Sequence, residues 1–130
     1  MVSIAEVSQK FNISPYTLRF YEKEGLVEVP RNESGIRDYD EYSQRIIGSI
    51  MHYRRAGVSL AQIKEIFATL HNDAYHLQIL RERKNVLERE IVEMQRTLAF
   101  LNYKIASHSG ENPDKLTLEE WLNIEVEVKA

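Results

Sequence analysis

The sequence contains no cysteine, which excludes disulfides, thiolate metal ligands and thiol-based redox sensing. It also lacks any apolar run approaching the roughly 18 residues that a membrane span requires. Its N-terminus shows no basic stretch followed by a hydrophobic signal segment, and these absences predict a soluble, cytoplasmic protein with no membrane partner. There are no internal repeats and no low-complexity segments. No glycine-rich phosphate loop or nucleophile–base spacing is present, and carboxylate pairs such as Glu22 with Glu24 or Glu119 with Glu120 lie in highly charged segments. An enzyme is therefore not expected. The four histidines, His52, His71, His76 and His108, do not form a compact metal motif, so neither a metal nor a cofactor is predicted. A net charge of −3 argues weakly against a nucleic-acid partner. The charge is uneven, however: residues 108–130 hold six acids against two lysines, whereas residues 1–107 hold 15 basic and 14 acidic side chains.

What is present is a chain of 130 residues, 43% of them hydrophobic, enough for one small domain and an extension. The most informative stretch is "SPYTLRFYEKEGL", residues 14–26. Ser14 followed by Pro15 predicts an N-cap and a first-turn proline, and Gly25 a C-terminal stop. At about 100° per residue, Tyr16, Arg19, Phe20 and Lys23 share one arc, while Leu18, Tyr21 and Glu22 lie opposite. One side can pack and the other is free to read a partner. Ahead of it, Ser3 can cap a helix from Ile4 to Lys10, and "FNI" is a tight connection, which gives helix, turn, helix.

Beyond Gly25, "LVEVPRNESGIRDY" predicts a small hairpin with its turn at Asn32–Gly35. Asp40 can cap a third helix with Tyr42, Ile46, Ile47, Ile50 and Tyr53 on its core face, ended by Gly57. Ser59 can cap a fourth with a stripe of Leu60, Ile63, Ile66, Phe67 and Leu70. From Tyr75 to about Ser107 the pattern becomes a strict heptad. Leu77, Lys84, Ile91, Leu98 and Ile105 take the a positions, and Leu80, Leu87, Met94 and Leu101 the d positions. At 1.5 Å per residue such a helix is a rod of roughly 50 Å, and its seam needs a partner chain. Lys84 interrupts that seam, either fixing register or snorkelling from a frayed end. In the tail, "LTLEEWLNIEV" can form a short helix presenting Leu118, Trp121 and Leu122. Either this patch docks on the dimer and completes its core, or it forms a small hydrophobic effector site.

In their order and spacing, "IAEVSQKFNISPYTLRFYEKEGL", "GIRDY" and "RRAGVSLAQIKEI" resemble the winged helix-turn-helix DNA-binding domain of the MerR family of bacterial transcription regulators. The heptad region resembles the family's dimerisation helix, so that about 105 of the 130 residues are covered. The resemblance implies a mainly α fold with three parts: a DNA-binding domain over residues 1–72, an antiparallel coiled-coil helix over 73–107, and an acidic tail over 108–130. It further implies a homodimer on a palindrome within the spacer of double-stranded promoter DNA. That dimer would bend and untwist the DNA so that RNA polymerase meets both promoter elements, under the control of an unidentified small-molecule effector, if any.

Residue by residue, the second helix would enter the major groove. Tyr16 and Thr17 would read bases there; Ser14 would set the helix start, and Arg19, Phe20 and Lys23 would line the backbone side. Arg37 of the wing would contact phosphate, and Tyr39 would either pack or reach phosphate. Arg54, near a helix C-terminus, and Ser59, at a helix N-terminus, complete the candidate DNA face. Two other readings share parts of this pattern: an excisionase-like architectural DNA binder, and a coiled-coil adaptor without DNA binding.

Overall fold

A computed structural model describes residues 1–111 and 115–122. Among them are six helices: α1 (Ile4–Phe11), α2 (Pro15–Lys23), α3 (Glu41–Arg55), α4 (Leu60–Ala68), α5 (Asp73–His108) and α6 (Leu118–Leu122). The chain divides into two compact units, Met1–Arg83 and Lys84–Ala130, and the division falls inside α5. The part of the predicted tail helix from residue 123 onward lies outside the described residues.

Local chemistry sets the helix ends where the sequence predicts them. Ser3 and Glu6 form a reciprocal capping box at α1, and Ser59 and Gln62 form another at α4; each satisfies N–H groups that a helix start would otherwise leave unpaired. Ser14 and Asp40 accept from the backbone N–H of Thr17 and Ser43 at α2 and α3. Gly25 and Gly57 adopt φ values of +75° and +83°, and the N–H groups of Leu26 and Val58 reach back to the carbonyls of Tyr21 and Tyr53. Both are glycine-terminated helix ends, in a backbone region that a Cβ disfavours.

In the first unit, Val7, Leu18, Tyr21, Leu26, Val27, Tyr39, Ile47, Ile50, Val58, Ile63, Ile66 and Ile79 make one buried cluster. Complete burial of a side chain such as Ile47 contributes about 1.5–3 kcal/mol, so this cluster is what holds α1 against α2 and α3, and α3 against α4. Ser43 is the buried polar residue; its hydroxyl donates to the Asp40 carbonyl at 3.0 Å. Two predicted core residues are displaced. Tyr42 sits in the first turn of α3, beyond the edge of the core, and Leu70 follows the end of α4, where the helical period no longer applies; both are about 70% exposed.

The predicted hairpin is reduced to its turn. Among the described residues no strand forms, and a single antiparallel bridge joins Arg31 to Arg37. The turn is closed by Asn32, whose N–H donates to the Ile36 carbonyl and whose side-chain oxygen accepts from the N–H groups of Ser34 and Ile36.

The first turns of α5 belong to the first unit, and they pack through a face that the heptad reading did not use. Tyr75, Ile79 and Arg83 follow one another at four-residue intervals. Ile79 is buried, the Tyr75 hydroxyl bonds the Glu65 carboxylate, and Arg83 Nε donates to the Ala56 carbonyl at 2.7 Å. The Arg83 guanidinium also fills the space that a Cβ on Gly57 would need.

Candidate nucleic-acid interface

The Ser14 hydroxyl is committed to the start of α2, accepting from the Thr17 N–H at 3.1 Å and lying 2.9 Å from the Thr17 hydroxyl. From that fixed start, Leu18 and Tyr21 turn into the core and Tyr16, Arg19 and Lys23 turn outward. Tyr16 is 78% exposed although it is a large aromatic on an otherwise well-packed helix. Thr17 is half-buried at the edge of the same face. Phe20 departs from its predicted arc: it packs half-buried against the core, with its ring centroid 6.4 Å from that of Tyr21. Its apolar ring gains more from that edge of the core than from water, so Phe20 helps to seat α2 rather than to line its outer face.

The carboxylates of α2 and of its C-cap residue, Glu22 and Glu24, are engaged. Glu24 Oε2 lies 2.6 Å from Lys64 Nζ, and that ammonium holds the Glu24 carboxyl below the usual carboxylate range. Glu22 meets Arg31 NH2 at 2.5 Å and Arg37 Nε at 3.3 Å. Arg19 and Lys23 make no ion pair within the described residues. The outer face of α2 therefore presents two free cations beside an exposed tyrosine, a polarity suited to polyanionic DNA that the net charge of the chain conceals.

Tyr39 requires a correction. It is 1% exposed and its hydroxyl is buried without a hydrogen-bond partner, so of its two expected roles it takes the packing one and does not reach out to phosphate. Burial pushes its ionisation upward. Arg37 is half-buried and bridged to Glu22, which ties the turn to α2. Arg54 is exposed and donates through NH1 to the Val58 carbonyl at 3.1 Å, bracing the turn between α3 and α4. Both the hydroxyl and the N–H of Ser59 are used by the α4 capping box.

In the second unit the predicted seam stands open. Ile91, Met94, Leu98, Leu101 and Ile105 are 50–71% exposed, and Leu87, Ile91, Met94, Leu98 and Leu101 line one apolar groove. Leu87 is half-buried, and Lys84 is exposed with its ammonium 3.7 Å from Glu88. Leu77 and Leu80, at the beginning of the heptads in the first unit, are 44% and 39% exposed. The predicted tail patch is divided: Trp121 packs edge-on against Phe100 and Tyr103, at 5.3 Å from each, with Lys104 Nζ 4.8 Å from the indole, whereas Leu118 and Leu122 face outward.

The model of the MerR helix-turn-helix family of regulatory proteins matches residues 2–70, and a second model, for MerR DNA binding, matches residues 45–103. The chain belongs to the MerR family. It is 42% identical to the HTH-type regulator slr0701 of Synechocystis, over 94% of this chain and 97% of that one. It is 39% identical to AdhR of Bacillus subtilis over 68% of this chain, although it spans only 62% of AdhR. Among solved structures it is similar to HiNmlR, a MerR-family regulator lacking the sensor domain and bound to promoter DNA, with a TM-score of 0.72 at 30% identity over 82% of this chain and 85% of that one. A regulator from Listeria monocytogenes matches with a TM-score of 0.67 at 31% identity over 84% of this chain and 86% of that one.

Sequence reasoning missed Glu22 and Arg83 as structural partners. Glu22 bonds residues nine and fifteen positions away and Arg83 bonds one twenty-seven positions away, distances at which no helical or strand period carries a signal.

Proposed function

We propose that this MerR-family regulator acts in the cytoplasm as a homodimer on double-stranded promoter DNA. The α2 helix enters the major groove, where Tyr16 and Thr17 meet base edges and Arg19 and Lys23 hold phosphates on either side. Arg37 of the turn and the region around Arg54 add backbone contacts. The open seam from Leu87 to Ile105 pairs antiparallel with its copy and sets the spacing of the two α2 helices over a palindrome. Bending and untwisting of an overlong promoter spacer by such a dimer would align the two promoter elements for RNA polymerase. The energy of that deformation would make sequence matter even at bases no side chain touches.

The observation that carries this reading is the outer face of α2, where an exposed tyrosine lies beside two free cations while Glu22 of the helix and Glu24 at its C-cap are bridged elsewhere. The DNA-bound relative at 30% identity supports the same partner. Titration onto a palindrome mapped from the protein's own upstream region, at several salt concentrations, tests it. Arg19→Ala should weaken binding to every sequence and lower the salt slope by about one unit. Tyr16→Ala should cost about 1–3 kcal/mol on the best site and little on random DNA. Absence of any salt-sensitive binding by the unaltered protein would leave a coiled-coil adaptor as the better description.

A further inference from the structure

A single carboxylate on α2, that of Glu22, holds two arginines, and those arginines are the two ends of the bridge that closes the turn. The side chains are 20%, 40% and 29% exposed for Glu22, Arg31 and Arg37, so the cluster faces solvent on one side. Each arginine uses one nitrogen toward Glu22, NH2 of Arg31 and Nε of Arg37. A guanidinium carries five N–H donors in a fixed fork, so both retain donors for a second acceptor. The three side chains together carry one net positive charge instead of the two that the arginines alone would present. Behind them the Tyr39 ring fills the core, and Arg19, Glu22, Arg31 and Arg37 all act electrostatically on its phenol.

Two unrestrained arginines on a turn would grip phosphate on any duplex, because that attraction is independent of sequence. Held by Glu22, their forks are aimed from α2, and they meet phosphate well only where α2 itself is seated in the groove. We propose that Glu22 is a specificity-determining residue, a carboxylate that suppresses binding to random DNA by restraining and partly neutralising Arg31 and Arg37 while leaving them free to complete the operator complex. This rests on the DNA-binding reading above.

The test compares Glu22→Gln with the unaltered full-length protein on the mapped operator and on a random duplex of equal length, across a range of salt. Glutamine keeps the size of the side chain and loses its charge. The expected result is random-duplex affinity raised about tenfold at low salt, with its salt slope steeper by about one unit, and a reduced ratio of operator to random affinity. In an Arg31→Gln/Arg37→Gln background, adding Glu22→Gln should leave random binding unchanged within about twofold. Unchanged affinity and slope for random DNA would overturn the proposal, as would equal weakening on both duplexes. So would an undiminished effect in the background lacking the arginines, which would assign the change to overall charge. Failure of the unaltered protein to bind either duplex would instead refute the DNA-binding reading itself.

Discussion

The two units of the chain handle apolar surface in opposite ways. In Met1–Arg83 the isoleucines, valines and leucines of several short helices bury one another, and Val7, Ile47, Ile50, Val58 and Ile63 are completely covered. In the described part of Lys84–Ala130 no hydrophobic side chain reaches that state, and Ile91, Met94, Leu98, Leu101 and Ile105 present a continuous stripe at heptad spacing. The first unit has a closed core of its own. The second has the surface of half a core. A contiguous apolar stripe exposed on a helix marks an interaction surface, and its 3.5-residue repeat suits a second helix of the same kind.

The sharpest way to break that comparison is to place a charge in the open stripe. Leu87→Glu puts an unpaired carboxylate into the lining of the groove, at its N-terminal end. Loss of a leucine buried in a dimer costs about 2–5 kcal/mol, before the penalty for desolvating the charge is added. The variant should sediment as a monomer at micromolar concentration and bind a palindromic operator at least a hundredfold more weakly, while the thermal unfolding of the first unit changes little. A variant that stays dimeric and binds DNA normally would show that the stripe is not the dimer interface.

The complementary change strikes the other unit. Ile47→Ala empties a fully buried site in α3 and should destabilise the first unit by about 2–5 kcal/mol, lowering its midpoint in urea while sedimentation still reports a dimer. If this substitution dissociates the dimer as Leu87→Glu does, the two units do not keep separate cores and the comparison fails.

The contrast also explains which features were legible in the sequence. Helix caps depend on residues three apart, and glycine stops depend on a single backbone conformation, so Ser3, Ser14, Asp40, Ser59, Gly25 and Gly57 all act where the sequence predicts. The face of α2 was legible for the same reason, apart from Phe20, whose position at the margin of two arcs is decided by tertiary packing. The heptad was equally plain, but it concealed a second face on the first turns of α5. A residue such as Ile79 is assigned to the helix surface by one period and is buried by another. Tyr39 shows the limit of carrying a role over by motif. The tyrosine after a turn is recognisable, yet only the packing of α3 and the turn decides that its ring goes inward. Least legible were Glu22 and Arg83, because side-chain bonds between distant segments leave no periodic trace.

The smallest effect expected is confined to the first unit and has a definite pH dependence. Asp40 Oδ1 accepts from the Ser43 N–H at 2.8 Å at the start of α3, and that hydrogen bond lowers the Asp40 ionisation below its ordinary value. The charged carboxylate is thus favoured in the folded chain. Its contribution is fully present above the ordinary aspartate range and is lost as pH falls through the lower, folded value. Asparagine caps a helix about as well as aspartate but carries no charge to titrate or to oppose the helix dipole. Asp40→Asn should therefore melt slightly earlier than the unaltered protein at neutral pH, and the gap should close as the solution is acidified below the aspartate range. Melting followed by the tyrosine signal of the first unit, alongside sedimentation of the same samples, checks both parts. A gap that persists unchanged in acid would show that the ionised carboxylate is not what Asp40 contributes. A change in dimerisation with the cap substitution would show that α3 and the open stripe are coupled after all.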